Sequence, residues 1–450
     1  MQISPVTIVG AGPAGSLLGI LLARRGFPLT VFERRADMRR ETISAGRSIN
    51  LALAERGIHA LSYAGVLDAV RPLMIPMRGR MIHDEAGRTT LQRYGQNDNE
   101  VIHSVSRGEL NKLLLSELER SAGIQIHFRH SCRGLDFTAG RVRMVDESDG
   151  GVRDVDARPV IGADGASSAV RAAMLDDERT RVSEDVLSHQ YKELTIPAGP
   201  GGRHRLETNA LHIWPRGGYM LIALPNVDGS FTATLFLPAE GPESFAALET
   251  REDVNRFFAR RFADAATLMP DLGEEFFAHP TGTMVTVRAA PWKFADQVLL
   301  IGDAAHAIVP FHGQGMNCAF EDCVAFDQAL DRYEDWGRVF ARVDRVRKPN
   351  ADAIAQMALE NYVEMRDSVR DPKFVLQKEL SLQLEQRFPG LFIPRYSMVM
   401  FHHEIPYTTA LERGRIEQEI LDELTAHAAS VDQVDWTLAT RLVQARLAAF

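Results

Sequence analysis

The segment Val6-Thr7-Ile8-Val9-Gly10-Ala11-Gly12-Pro13-Ala14-Gly15 limits what this 450-residue chain can fold into more than any other. Four β-branched residues predict a short buried strand. Gly10, Gly12 and Gly15 permit a tight turn, a close approach of backbone to a ligand, and close packing of the following helix. An apolar helix is expected over 13–25, and Leu29-Thr30-Val31-Phe32-Glu33 reads as a second strand. Strand, glycine turn, helix and strand make a β-α-β unit with a parallel sheet. The helix N-terminus, with Ala14 in its first turn, then faces a negative charge such as a pyrophosphate. Glu33 lies eighteen residues beyond Gly15, where a carboxylate can bond ribose hydroxyls, with Arg34 beside it.

Composition bounds the setting of this unit. The length suits two or three domains, and 45% hydrophobic with 25% charged residues is ordinary for a globular chain. A net charge of -9, with both signs mixed along the chain, argues against a nucleic-acid partner. Three cysteines, Cys132, Cys318 and Cys323, form neither a disulfide framework nor a zinc pattern. A reducing, cytoplasmic location is expected. The run Leu17–Ala23 lacks a cleavage site and follows a strand, so it is not read as a signal. No stretch approaches the ~18 apolar residues of a membrane span, so no membrane anchor is expected.

The spacing of elements predicts an α/β protein: a Rossmann-like dinucleotide-binding domain, a second domain built on a β-sheet and a helical C-terminal region. The expected boundaries are 1–75, 101–180 and 285–345 for the first, 76–100 and 181–284 for the second, and 346–450 for the third. Residues 73–101 read as irregular and polar, and 107–122 as a helix. Residues 211–214, 219–224 and 231–237 read as adjacent antiparallel strands, with Asn226-Val227-Asp228-Gly229 as a turn. Lys348-Pro349 is expected to break one helix from the next.

Two further motifs make the dinucleotide FAD. Val298-Leu299-Leu300-Ile301 runs into Gly302-Asp303-Ala304-Ala305-His306, and Pro310-Phe311-His312-Gly313-Gln314-Gly315-Met316-Asn317 follows. Asp303 at the end of a buried strand can accept hydrogen bonds from a ribitol chain. The Gly313, Gly315, Met316 and Asn317 loop opens a helix whose free amides would stabilise charge on a reduced flavin. Gly162-Ala163-Asp164-Gly165 puts an aspartate at another strand end, where Asp164 also reads as a cap. Arg47 and Arg107 are candidates for the FAD phosphates, with structural ion pairs as the competing reading.

These three motifs, in this order, resemble the class A flavin monooxygenases, the aromatic hydroxylases that include p-hydroxybenzoate hydroxylase. The resemblance implies tightly bound FAD, and transient NADPH served partly by the Asp164 turn. Gly46-Arg47-Ser48-Ile49-Asn50-Leu51-Ala52-Leu53, Met77–Met81, Ala358–Met365 and Phe392–Met398 narrow it. They resemble the bacterial kynurenine 3-monooxygenases nearly end to end, with Ala52 on the cofactor side. The resemblance implies hydroxylation of L-kynurenine to 3-hydroxy-L-kynurenine by NADPH and O2 through a C4a-hydroperoxyflavin. Tryptophan degradation and supply of a precursor for NAD would both use it. It also puts the substrate's carboxylate on Arg80, Tyr94, Asn361 and Tyr396.

That chemistry makes sense by itself. Arg80 is a forked, permanent cation for an α-carboxylate, and the other three add neutral donors. Alternation offers Ile222 and Phe236 as pocket walls, with core packing as the competing reading. Phe311 and His312 belong to the loop expected beside the flavin. No acid–base residue is assigned, because the substrate's own amine activates its ring. His402-His403-Glu404 looks like a metal corner, but neighbouring histidines rarely make a site alone, so no metal is expected. Glu321-Asp322 reads as a solvated helix face or a helix-end charge. A homodimer is compatible with all of this. Two alternatives stay open: a class A hydroxylase of another amino-bearing aromatic acid, and a flavin-binding protein without turnover.

Overall fold

The structure is a computed structural model describing residues 4–41, 50–366 and 371–450. The chain divides into two compact units. The first comprises Met1–Met74, Val105–Leu187 and Met284–Ala355; the second comprises Ile75–Ser104, Ser188–Thr283 and Gln356–Phe450.

The first unit is built on a six-stranded sheet ordered Lys293–Phe294, Val298–Leu300, Val160–Gly162, Val6–Val9, Leu29–Glu33 and Ile124–Phe128. All neighbours are parallel except the first pair. The central strands are buried throughout, as expected when both faces are covered. The Pro13–Arg24 helix buries Gly15 to Leu22. Gly10 takes φ +103°, and a Cβ there would collide with the Ala163 carbonyl. A Cβ at Gly15 would collide with the Gly10 carbonyl. The turn is thus tight enough to exclude any side chain at either position.

The second unit is built on a sheet of Phe231–Pro238, Met220–Pro225, Leu211–Pro215, Gly79–His83 and Thr89–Arg93, in that order, which Arg181–Ile196 and then Thr281–Ala290 extend to seven strands; parts of these last two strands belong to the first unit's segments. The expected antiparallel trio 211–237 is its centre. Trp214, Leu221, Ala233 and Leu235 face a core shared with Phe257, Phe258, Phe262 and Phe276. Register decides the opposite face. Leu211 stands beside Arg80, Ile213 beside both Ile82 and Ile222, Ile222 beside Thr234, and Met220 beside Phe236. Paired residues share a face, so Arg80, Ile222 and Phe236 share the face turned away from that core.

Two expectations are corrected. Residues 73–101 are not irregular: they hold Ile75–Met77, Gly79–His83 and Thr89–Arg93. The last is mostly exposed, so no burial pattern marks it. Lys348-Pro349 breaks nothing, because Pro349 lies inside the Trp336–Arg366 helix. The bond Pro349 omits is the one to the Arg345 carbonyl; the Asn350 side chain donates to the next carbonyl, that of Val346, at 2.9 Å.

Behind Gly79–His83 lies a buried polar chain. His83 Nδ1 lies 2.8 Å from Asp264 Oδ2 and its Nε2 2.8 Å from His212 Nδ1, while His212 Nε2 lies 2.8 Å from the Glu207 carbonyl. Burial pulls His212 down to about 4, against the opposing Glu207 carbonyl. An unfolded histidine takes its proton near 6.5. The stability this neutral ring contributes is therefore complete above ~6.5 and is lost as pH falls toward ~4, by about 3 kcal/mol. Urea midpoints at about pH 7 and about pH 4.5 should differ accordingly, and His212→Gln should remove most of that slope. Among the described residues, no helix is long and apolar enough to cross a membrane.

Candidate flavin and carboxylate sites

In the first unit the cofactor candidates converge on the carboxyl ends of the parallel strands, where ligands of such sheets bind. Gly12 caps the Pro13–Arg24 helix in extended geometry, and nothing lies within 4 Å of where its Cβ would be. Ala14 stands half-buried in the first turn. Glu33 is buried; its Oε2 accepts from the Ala11 amide at 3.0 Å and its Oε1 from the Arg35 amide at 3.0 Å. Arg34 and Arg107 are exposed. Arg47 lies outside the described residues.

Asp164 is mostly a cap. Its carboxylate accepts from Ser168 Oγ at 2.5 Å and from the Ala169 amide at 2.7 Å, closing the start of the Ala169–Asp176 helix. Burial nevertheless pushes its carboxyl up, against those bonds. Asp303 differs: it is half-buried and accepts no hydrogen bond from another described residue.

Asn317 is fully buried and works as a clamp. It accepts from the Ala54 amide at 3.0 Å and donates to the carbonyls of Ala52 at 2.9 Å and Gly313 at 2.8 Å. It thereby ties the Asn50–Leu53 strand to the start of the Gly315–Leu330 helix. That helix has no side-chain cap, which leaves the amides of Gly315, Met316 and Asn317 at its positive end. An open backbone cradle, an unengaged carboxylate and an uncapped helix start together fit a pyrophosphate, a ribitol and an anionic ring edge. Phe311 and His312 are both buried on the loop just before this helix.

In the second unit the four carboxylate candidates come together. Arg80 is 2% exposed. Its guanidinium lies 5.1 Å over the Tyr396 ring, and Tyr396 stacks on Tyr94 with centroids 5.3 Å apart. Arg80 Nη2 donates to Asn361 Oδ1 at 3.3 Å. Burial pushes the Tyr396 phenol up to about 12 and that of Tyr94 up as well, so both stay protonated donors.

Two residues at this site were not foreseen. Glu364 pairs with Arg80 Nη1 at 2.8 Å. Burial alone would raise its carboxyl; Arg80 more than offsets this and holds it low. Its signal was available, since Glu364 follows Asn361 by one helical turn. Lys378, from the Pro372–Arg387 helix, is brought down to about 8 by burial and by Arg80; nothing in its surrounding sequence marks it. His402 instead pairs with Glu404 at 2.8 Å, a local contact that needs no metal.

A family model described as an FAD binding domain matches residues 4–334. A Myxococcus xanthus protein named kynurenine 3-monooxygenase is 50% identical over 99% of this chain and 96% of its own length. One of the same name from Xanthomonas axonopodis is 50% identical over 98% of this chain and 97% of its own. Among solved structures, the tetrameric form of 2-methyl-3-hydroxypyridine-5-carboxylic acid oxygenase aligns with a TM-score of 0.68 at 18% identity, covering 84% of this chain and 96% of its own. Pseudomonas aeruginosa PqsL, in complex with 2-aminobenzoylacetate, aligns at 0.64 and 23%, covering 81% and 96%. The shared fold, the match to the FAD-binding model and half identity over nearly the whole length have one meaning: the chain belongs to the FAD-dependent monooxygenases and, within them, to the kynurenine 3-monooxygenase family.

Proposed function

We propose that this chain hydroxylates L-kynurenine to 3-hydroxy-L-kynurenine with NADPH and O2, serving tryptophan degradation or the supply of a precursor for NAD. The observation that carries the reading is the buried Arg80 cluster, in a chain half identical to proteins named for that reaction. FAD, when bound, takes electrons from NADPH and passes one oxygen atom of O2 to the substrate ring.

The residues divide the remaining work. The Gly10–Gly15 turn with Ala14 would hold the pyrophosphate, and Glu33 the ribose; Arg34, Arg47 and Arg107 would supply charge around them. Asp303 would accept from the ribitol. Ala52, Gly313, Gly315, Met316 and Asn317 would shape the ring site and neutralise its charge. Asp164 would contribute through the turn it holds, because its carboxylate is already occupied.

Arg80 would bind the substrate carboxylate, with Tyr94, Tyr396 and Asn361 as donors around it. Glu364 keeps Arg80 aimed and leaves one oxygen for an α-ammonium. Ile222 and Phe236 would line the substrate's ring, and Phe311 and His312 belong to the loop proposed for the flavin. The substrate's amine already enriches the carbon beside it, so the protein's task is position and exclusion of water. No residue is needed as a strong base. A cytoplasmic location and a homodimer belong to the same proposal; sedimentation of the FAD-loaded protein tests the second.

Lys378 gives this reading a pH signature. Below its value of about 8 the ammonium adds positive charge near Arg80. Kynurenine binding should weaken as pH rises through that value, by roughly tenfold or about 1.4 kcal/mol. Lys378→Met should flatten the profile of KM against pH without changing FAD content.

The test of the whole reading is NADPH oxidation across a panel of amino-bearing aromatic acids. Kynurenine should stimulate it most. A stronger response to another acid would move the substrate assignment, and no response to any would favour a protein that binds flavin without turnover.

A further inference from the structure

Glu321-Asp322, expected on a solvated face, is the centre of a buried cluster within the first unit. Asp322 is completely buried. Its Oδ2 accepts from the Gly302 amide at 3.1 Å and from His306 Nε2 at 2.6 Å. These donors stand at opposite ends of the single turn Asp303–His306. One oxygen atom therefore closes that turn at both ends. Gly302 sits at φ +56°, and a Cβ there would lie 3.1 Å from Ala319 Cβ and 3.4 Å from Ala14 Cβ, so the turn has little room to shift.

Asp322 is itself held. Its Oδ1 accepts from Arg347 Nε at 2.8 Å, Arg347 Nη2 reaches Glu321 at 2.9 Å, and Glu321 pairs with Arg56 at 2.7 Å. Two carboxylates alternate with two guanidiniums, so the charge is compensated without water. The His306 ring stacks on Trp292 at 4.8 Å, and its Nδ1 has no hydrogen-bond partner among the described residues. That suits the tautomer carrying its proton on Nε2. His306, Cys318 and Asp322 offer ligand atoms within 4.8 Å of one another. Arg347 Nη2, however, lies 3.4 Å from Cys318 Sγ, and burial pushes that thiol well up. The guanidinium stands where a cation would otherwise sit.

We propose that Asp322 is a positioning residue of the FAD site, acting through Gly302 and His306 to fix the direction in which Asp303 presents its carboxylate. A lone helical turn has too few internal bonds to hold itself, so the aim of Asp303 comes from Asp322. The inference rests on reading Asp303 as the ribitol acceptor.

The experiment is a double-mutant cycle on FAD affinity, measured by quenching of flavin fluorescence as apoprotein is added. Asp303→Ala alone should weaken FAD. If it does not, the reading of Asp303 fails, and the inference with it. Asp322→Asn alone should weaken FAD by roughly 10- to 100-fold, the range seen when the partner behind a ligand is removed. In the Asp303→Ala background the same change should cost nothing further. Additive losses, or full affinity in Asp322→Asn, would overturn the proposal and leave Asp322 a fold residue only. Should Asp322→Asn fail to fold, as far-UV circular dichroism of the apoprotein would report, His306→Gln carries the same cycle. It removes one of the two clips and leaves the charge balance intact.

Discussion

Arg80→Met is expected to abolish saturable kynurenine binding while FAD stays bound. The Arg80 guanidinium stacks on Tyr396 and meets Asn361, and it is nearly inaccessible to bulk water. A charge pair in such a place is worth about 2–5 kcal/mol when one partner is removed, or roughly 30- to 5,000-fold in affinity. Part of that loss would come from Glu364, a half-buried carboxylate left without its guanidinium and facing the substrate's own carboxylate. The double variant Arg80→Met with Glu364→Gln separates the two effects. It should regain thermal stability relative to the single variant and still bind no kynurenine. Calorimetric titration of the FAD-loaded protein reads the affinity, and flavin absorbance confirms the cofactor.

Gly12→Val is expected to produce the second-largest effect, with the opposite pattern. Gly12 has φ -69° and ψ 179°, geometry open to any residue, and its Cβ would point into empty space. The apoprotein should therefore fold normally. A side chain there would occupy the space expected for the pyrophosphate, so FAD affinity should fall by more than about 100-fold, or roughly 3 kcal/mol. Gly15→Ala makes the contrast, because its Cβ would strike the Gly10 carbonyl. That variant should lose folded protein, not only flavin. Thermal melts of the two apoproteins, beside their flavin content, distinguish a cradle from a tight turn.

Legibility in the sequence followed local physics. The β-α-β unit could be read because strand, turn and helix are contiguous, and the glycines admit few other structures. The Thr89–Arg93 strand could not: it lies at the edge of its sheet, mostly exposed, and carries no alternation. Pro349 was misjudged because a 31-residue helix surrounds it and outweighs the one hydrogen bond it omits, which local propensity does not weigh. Asp322 was misread because its partners Gly302, His306 and Arg347 lie 16 to 25 residues away. A charge looks solvated until the fold supplies its counter-ion. Arg80 and Tyr94 were legible only through resemblance, since their segment has no pattern of its own. The face shared by Ile222, Phe236 and Arg80 needed the strand register, which one sequence does not contain.

Oxygenation of kynurenine at the carbon beside its amine is tested most directly by the mass of the product formed from kynurenine, NADPH and isotopically labelled O2 by the FAD-loaded protein. The expected product is 3-hydroxykynurenine carrying one labelled oxygen atom, absent when the Arg80→Met variant is used. Kynurenine recovered unchanged while NADPH is consumed, or label found only in water and peroxide, would contradict it.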